Sequence, residues 1–70
     1  MKYLIIIEPT ETGFSAYSPD VPGCIAAAET EAETRSLMHD AIAFHLEGIA
    51  DAGEPIPVAH SIAEYVEVAA

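Results

Sequence analysis

Basic side chains are nearly absent from this 70-residue chain. Lys2 and Arg35 stand against twelve Asp and Glu residues, which gives a formal net charge of -10 at pH 7. Proteins that bind nucleic acids draw much of their affinity from Lys and Arg side chains that neutralise phosphates. The composition therefore argues against direct contact with DNA or RNA, and anionic membranes would repel the chain for the same reason. A basic protein partner would be attracted to it.

Cysteine is also scarce, and long apolar runs are missing. The single cysteine, Cys24, excludes an internal disulfide and fits a reducing compartment. The N-terminal apolar run ends at Glu8, so it is too short for a signal peptide or a membrane span. We therefore expect a cytoplasmic protein.

Residues that could carry catalysis are present but not grouped. His39 and His45 lie six residues apart on a predicted helix, and neither has a second ligand four residues on. Cys24 lacks a nearby cation that would activate its thiol, which predicts a buried, inert cysteine. Phosphate-binding glycine loops and nucleophile elbows are absent. We expect no metal, no cofactor and no enzyme activity; the alternative is a residual hydrolase that uses His45 or Asp20.

Apolar residues make up 51% of the chain, which is enough for one small core. Residues Tyr3 to Ile7 predict a central strand, and Phe14 to Tyr17 predict a second strand in a hairpin with it. Cys24 to Ala28 predict a third strand of small residues, on which Phe44 and Leu46 of the helix could pack. Ala63 to Val68 alternate again and predict a last strand.

One long helical pattern lies between the third and last strands. Thr30-Glu31-Ala32-Glu33 matches a capping box, in which the Thr30 hydroxyl accepts from the Glu33 amide and Glu33 reaches back to the Thr30 amide. The pattern ends near Ala52, because Gly53 is suited to a C′ cap and Pro55 stops a helix. Its apolar positions are Leu37, Met38, Ala41, Ile42, His45, Leu46 and Ile49.

These elements predict an α+β fold in a single domain over residues 1–70. A small antiparallel sheet would carry one helix on one face, in the order β-β-β-α-β. Because one helix covers only one sheet face, Leu4 and Ile6 are predicted to lie in an interface with another copy of the chain. The alternative is that a loop or the C-terminal segment covers that face. His45 is predicted to be a core or interface residue, or a pH-sensitive contact to a partner.

The loop Ser18-Pro19-Asp20-Val21-Pro22-Gly23-Cys24 is predicted to be stiff and to reverse the chain direction. Its two prolines fix their own φ angles and restrain the residues before them, and Gly23 can take a positive φ. Asp20 is then expected to expose its charge at the apex. Tyr17, Asp20 and Pro22 are therefore predicted to contact a partner.

The start of the helix supplies a second candidate contact. It carries Glu29, Glu31 and Glu33, which could form a recognition surface for a basic protein. The alternative is that these carboxylates only favour solubility and interact with the helix dipole.

The combination of motifs resembles the HicB antitoxin family. The resemblance is carried by Phe14 to Cys24, by the acidic helix start, by His45-Leu46-Glu47-Gly48 and by Asp51 to Pro57, and it spans about Met1 to Val68. It implies a partial RNase H-like fold. It also implies an antitoxin that neutralises HicA, a small basic mRNA interferase, by stoichiometric contact.

Longer members of that family carry a C-terminal DNA-binding segment, whereas this sequence ends at Ala70. We therefore expect no separate DNA-binding domain and no direct nucleic-acid contact. The alternative function is an orphan HicB-like binding module that forms homo-oligomers and has no toxin. Nuclease activity is not expected, because the interior of the first strand offers no carboxylates for metal ions.

Overall fold

A computed structural model describes residues 1–69 as a three-stranded sheet followed by one helix. The elements are β1 (Ile6–Pro9), β2 (Phe14–Tyr17), β3 (Ile25–Ala28) and α1 (Glu31–Asp51). Both strand pairs are antiparallel, and the sheet order is β1-β2-β3. The predicted α+β class, with one helix packed on a small antiparallel sheet, is confirmed.

The first strand starts later than predicted, at Ile6 rather than Tyr3. The turn Thr10 to Gly13 sets a register that pairs Ile6 with Tyr17. To extend β1, residues 3–5 would need backbone partners beyond Tyr17. There the chain already turns into the loop Ser18 to Cys24, which we call the proline loop. Instead, the Ser18 hydroxyl donates to the Leu4 carbonyl at 2.8 Å, so one side-chain bond replaces the continuing ladder.

The predicted last strand, Ala63 to Val68, does not form within the described chain. No helix or strand follows α1 in the described residues, and residues 62–69 are all exposed. A strand is defined by backbone pairing with a neighbour, and the sheet here ends at β1 on one side and at β3 on the other. The alternating pattern of the segment is therefore present without a partner.

Alternation decides which sheet residues face the helix. Ile7, Ala16 and Ala26 stand opposite one another in the register and pack in the core with the helix. Ile6, Tyr17 and Ile25 form the matching row on the other face. The buried core consists of Ala16, Val21, Cys24, Met38 and Ile42.

The helix begins and ends as its local signals predict. Thr30 is the N-cap, and its hydroxyl accepts from the Glu33 amide at 3.1 Å. The return contact differs from the expectation, because the Glu33 carboxylate accepts from the Thr30 hydroxyl rather than from the Thr30 amide. Gly53, with φ at 72°, follows the C-cap residue Ala52 as predicted.

The helix face that packs on the sheet is narrower than the predicted stripe. Its buried residues are Thr34, Met38 and Ile42, spaced four residues apart. Thr34 is polar, and its hydroxyl donates to the Thr30 carbonyl at 2.8 Å, which allows its burial. Phe44 is 80% exposed, so the expectation that it packs over β3 is wrong.

Gly23 takes the positive φ predicted for the proline loop, at 87°. We expect Gly23→Val to destabilise the domain by about 1–2 kcal/mol, because a β-branched residue is strained in that backbone region. Thermal unfolding followed by circular dichroism measures the loss. Gly48→Val is the matched control, since Gly48 lies inside the helix and an added Cβ meets nothing within 4 Å. Equal melting temperatures for the two variants would contradict the strain argument.

Candidate protein-binding surfaces

Asp20 is buried, contrary to the prediction that it exposes its charge. Its side chain is 1% exposed, and its carboxylate accepts hydrogen bonds from a segment forty residues further along the chain. Oδ2 accepts from the backbone amides of His60 and Ser61 at 3.1 and 3.0 Å. Oδ1 accepts from the Ser61 hydroxyl at 2.6 Å and lies 2.7 Å from Nδ1 of His60. We call this set of contacts the Asp20 clasp.

Hydrogen bonding favours the charged form of the buried carboxylate. The Ser61 hydroxyl and amide, followed by the His60 amide and ring, lower the pKa of Asp20 below its ordinary value of 3.8. Burial acts in the opposite direction and is outweighed. The clasp fastens the C-terminal segment to the proline loop, and a second bond supports it, from the Tyr3 hydroxyl to the Pro57 carbonyl at 2.6 Å.

His60 and Ser61 were not singled out from the sequence. The signal was small: a polar pair between Val58-Ala59 and Ile62-Ala63 in an otherwise apolar stretch. Asp20 belongs to the architecture of the chain rather than to its partner-binding surface, because nearly all of its carboxylate is covered from within.

The remaining predicted contact residues divide into two groups. Tyr17 and Pro22 are exposed near the start of β3, and the acidic side chains lie beyond its other end. Four residues of strand, about 13 Å, lie between the groups. Ile25 of β3 is 75% exposed between them. We call this the β3 surface, formed by Tyr17, Pro22, Ile25, Glu29, Glu31 and Glu33.

The acidic end of the β3 surface is open to solvent. Glu29, Glu31 and Glu33 are all exposed. Glu31 accepts from Arg35 at 2.7 Å in an exposed i,i+4 pair, which stabilises the helix only slightly. The carboxylates of Glu29 and Glu33 contact no basic side chain among the described residues.

Ile6 lies on the sheet face away from the helix, Leu4 precedes β1 at the same alternating position, and both residues are half-buried. The alternative cover is a loop or the C-terminal segment of the same chain, and residues 62–69 of that segment are exposed. Whether a second copy covers these residues stays a prediction.

A groove lies on the helix side of the N-terminal residues. It has a volume of about 340 Å³. Its apolar walls are Met1, Tyr3, Ile5, Ile42, Ala43 and Leu46, and Arg35 and His39 supply its polar part. We call it the N-terminal groove.

The groups that sequence analysis weighed for catalysis are separated. Cys24 is buried, as predicted, and burial raises the pKa of its thiol. His39 contacts the neighbouring Asp40 at the surface, and His45 is half-buried. Within residues 1–69 no three His, Cys, Asp or Glu side chains are grouped so that they could hold a metal ion. Over the same residues, no helix combines the length and apolarity that crossing a membrane requires.

Comparison with known proteins shows similarities to a protein family, to a phage protein and to a solved structure. Residues 3–69 match the family described as HicB_like antitoxin of bacterial toxin-antitoxin system. An uncharacterized 14.9 kDa protein in the rep-hol intergenic region of Haemophilus phage HP1 (strain HP1c1) is 38% identical over 66 residues, which cover 94% of this chain and 50% of the phage protein. A chain of the solved HicA3 and HicB3 toxin-antitoxin complex is 38% identical with a TM-score of 0.67, and the match covers 79% of this chain and 64% of that one. The chain thus spans half of the phage protein and less than two thirds of the chain in the complex.

Proposed function

Because the chain belongs to the HicB-like antitoxin family of bacterial toxin-antitoxin systems, we propose that it neutralises a small basic HicA-type toxin. It does so without enzyme activity, by stoichiometric contact between the two proteins. The observation that carries the proposal is the similarity to a chain of the HicA3 and HicB3 complex, at 38% identity and a TM-score of 0.67.

The charge of the chain supports a basic partner. A formal net charge of -10 steers a positively charged protein toward the chain and speeds their encounter. A toxin that acts on RNA needs a basic surface for phosphates, and an acidic antitoxin bound there would exclude the RNA.

We place the toxin on the β3 surface. Ile25 supplies exposed apolar area at its centre, which a partner would remove from water. The carboxylates at its acidic end would lie against basic side chains of the toxin. Asp20 takes no part in the contact, since its carboxylate is occupied by the clasp.

Removing charge from the β3 surface should weaken toxin binding more than removing the same charge elsewhere. The test variant carries Glu29→Gln, Glu31→Gln and Glu33→Gln, and the matched control carries Glu47→Gln, Asp51→Asn and Glu54→Gln at the other end of the helix. Each variant changes the net charge by three, so both lose the same general attraction. We expect the dissociation constant to rise at least about tenfold more in the test variant than in the control.

The partner for this measurement comes from purification of the tagged chain at low salt, with identification by mass spectrometry. A small basic protein in stoichiometric amount, released as salt rises, is the expected result. Recovery of the chain alone would overturn the antitoxin proposal and favour the orphan binding module. Equal weakening in the two variants would move the contact away from the β3 surface.

The proposal also includes self-association. Leu4 and Ile6 lie on an apolar sheet face that the helix does not cover, and a second copy is the occupant we assign to this side of the molecule. The oligomeric state of the chain alone tests this part, independently of any toxin.

A further inference from the structure

One segment of the chain has the pattern of a strand and no neighbour. Residues 62–69 are exposed throughout. In an extended conformation, Ile62, Glu64, Val66 and Val68 share one side of this segment. We call residues 62–69 the arm. The clasp fixes its base at His60 and Ser61, so the arm leaves the body at a defined point.

The N-terminal residues have the complementary feature, a strand edge without a neighbouring strand. Tyr3, Leu4 and Ile5 continue the line of β1, but no backbone group among the described residues pairs with their amides. Since β1 is an outer strand of the sheet, this edge is open to an added strand.

The accessible surface and the radius of gyration are both larger than expected, in agreement with the unpaired arm and the unpaired N-terminal edge. Its accessible surface is 5499 Å², whereas a compact protein of 7.4 kDa exposes about 4,200 Å². Its radius of gyration is 13.9 Å, against about 11 Å for a compact chain of this length. The chain therefore leaves more surface exposed than a folded domain of its mass normally does.

The N-terminal groove lies beside the same open edge. Its apolar walls are formed by Tyr3 and Ile5 from the edge and by Ile42 and Leu46 from the helix. A strand added along this edge would direct every second side chain into the groove. A volume of about 340 Å³ accommodates aliphatic side chains of the size of Val66 and Val68.

The charges of the groove match the arm. Arg35 lines the groove and also contacts Glu31, and Lys2 directly precedes Tyr3 in the sequence. The arm carries two carboxylates, Glu64 and Glu67. The edge of β3 does not offer this complementarity, because it leads directly into Glu29 and the acidic start of the helix.

We propose that the arm of one copy pairs with the open edge of β1 in a second copy and inserts Val66 and Val68 into its N-terminal groove. Tyr65, on the other side of the arm, then lies beside Leu4 and Ile6 and covers the sheet face that the helix leaves free. Two copies exchange arms in a closed, symmetric dimer, so each arm and each groove is used. This inference specifies the self-association proposed above, and it does not depend on a toxin.

The test measures the mass of the chain alone by sedimentation and light scattering over micromolar concentrations. The wild-type chain is expected to be a dimer. Val66→Glu with Val68→Glu places charges in the groove and should raise the dimer dissociation constant at least about 100-fold. Ala63→Glu with Ala69→Glu is the matched control, because it adds the same charge on the other side of the arm and should preserve the dimer.

Amide hydrogen exchange locates the contact. In the wild-type chain the amides along Tyr3 to Ile5 should include slowly exchanging ones, and this protection should disappear in the Val66→Glu, Val68→Glu variant while the amides of α1 stay protected. A wild-type monomer would overturn both the self-association and the arm exchange. This holds also for a monomer whose amides along Tyr3 to Ile5 are protected, because in it each arm folds onto its own chain. A dimer that is equally stable in both variants would overturn the arm exchange alone and leave the self-association standing.

Discussion

Replacing Met38 by alanine should remove much of the stability of this domain. Met38 is fully buried where the helix meets the sheet, and it is one of five buried apolar side chains among residues 1–69. Truncating such a side chain to alanine costs about 2–5 kcal/mol, because the space left behind is not refilled. A domain of this size has a total free energy of unfolding of about 4–10 kcal/mol.

Leu37→Ala is the control for this prediction. Leu37 is next to Met38 on the same helix, has a side chain of similar size and is 49% exposed. Its truncation should cost less than about 1 kcal/mol. Urea unfolding curves for the two variants, followed by circular dichroism, give the comparison. Similar losses would show that the helix is rotated about its axis relative to the orientation described here.

The contrast between Met38 and Leu37 shows which part of the buried helix face can be predicted from the periodicity of apolar residues. Both residues belong to the predicted apolar stripe, because the 3.6-residue period is compatible with an apolar face that extends over more than a quarter of the helix circumference. The sheet has only three short strands, so it buries a line of residues four apart, and the rest of the stripe lies at the margin or in solvent. Periodicity identified the helix and its inner side, but the width of the buried face depends on the size of the sheet.

Local signals predicted local structure well. The cap at Thr30, the positive φ of Gly23 and the hairpin are each determined by a few adjacent residues, and the structure has all three. The RNase H-like relationship implied by the family resemblance stays a prediction.

The parts that could not be predicted depend on residues far apart in the chain. The rigid loop around Asp20 predicts an exposed charge. The residues of that loop carry no information about the His60 and Ser61 amides, which lie forty residues away and donate to the carboxylate. The C-terminal strand was predicted from its alternation, which describes a side-chain pattern but not the presence of a neighbouring backbone. Both errors concern the same segment, which is fastened at its base by Asp20 and left unpaired beyond it.

Asp20→Ala should release this segment while the helix and sheet stay folded. The substitution removes every acceptor of the clasp, so the amides of His60 and Ser61 lose their partners and exchange at least about tenfold faster. Asp20→Asn keeps one oxygen for the two amides but replaces Oδ1 with an NH2 donor, so it removes the charge and the acceptor of the Ser61 hydroxyl together. Ser61→Ala removes only the hydroxyl bond. Unchanged exchange in Asp20→Ala would show that the clasp does not hold the segment.

Acid should weaken the clasp in the wild-type chain. The pKa of Asp20 is lower in the folded protein than its ordinary value of 3.8, mainly because the Ser61 hydroxyl and amide donate to the carboxylate. The stabilisation that follows is therefore complete above the ordinary pKa and is lost as the pH falls through the folded value. Protection of the His60 and Ser61 amides, normalised to that of the α1 amides, should decline at the acid end in the wild-type chain. In Asp20→Asn the normalised protection should stay flat over the same range, because the carboxyl group that titrates is gone. If the normalised protection declined equally in the wild-type chain and in Asp20→Asn, the exposed carboxylates of the chain would be the cause of the decline. The clasp would then have no part in the response to acid.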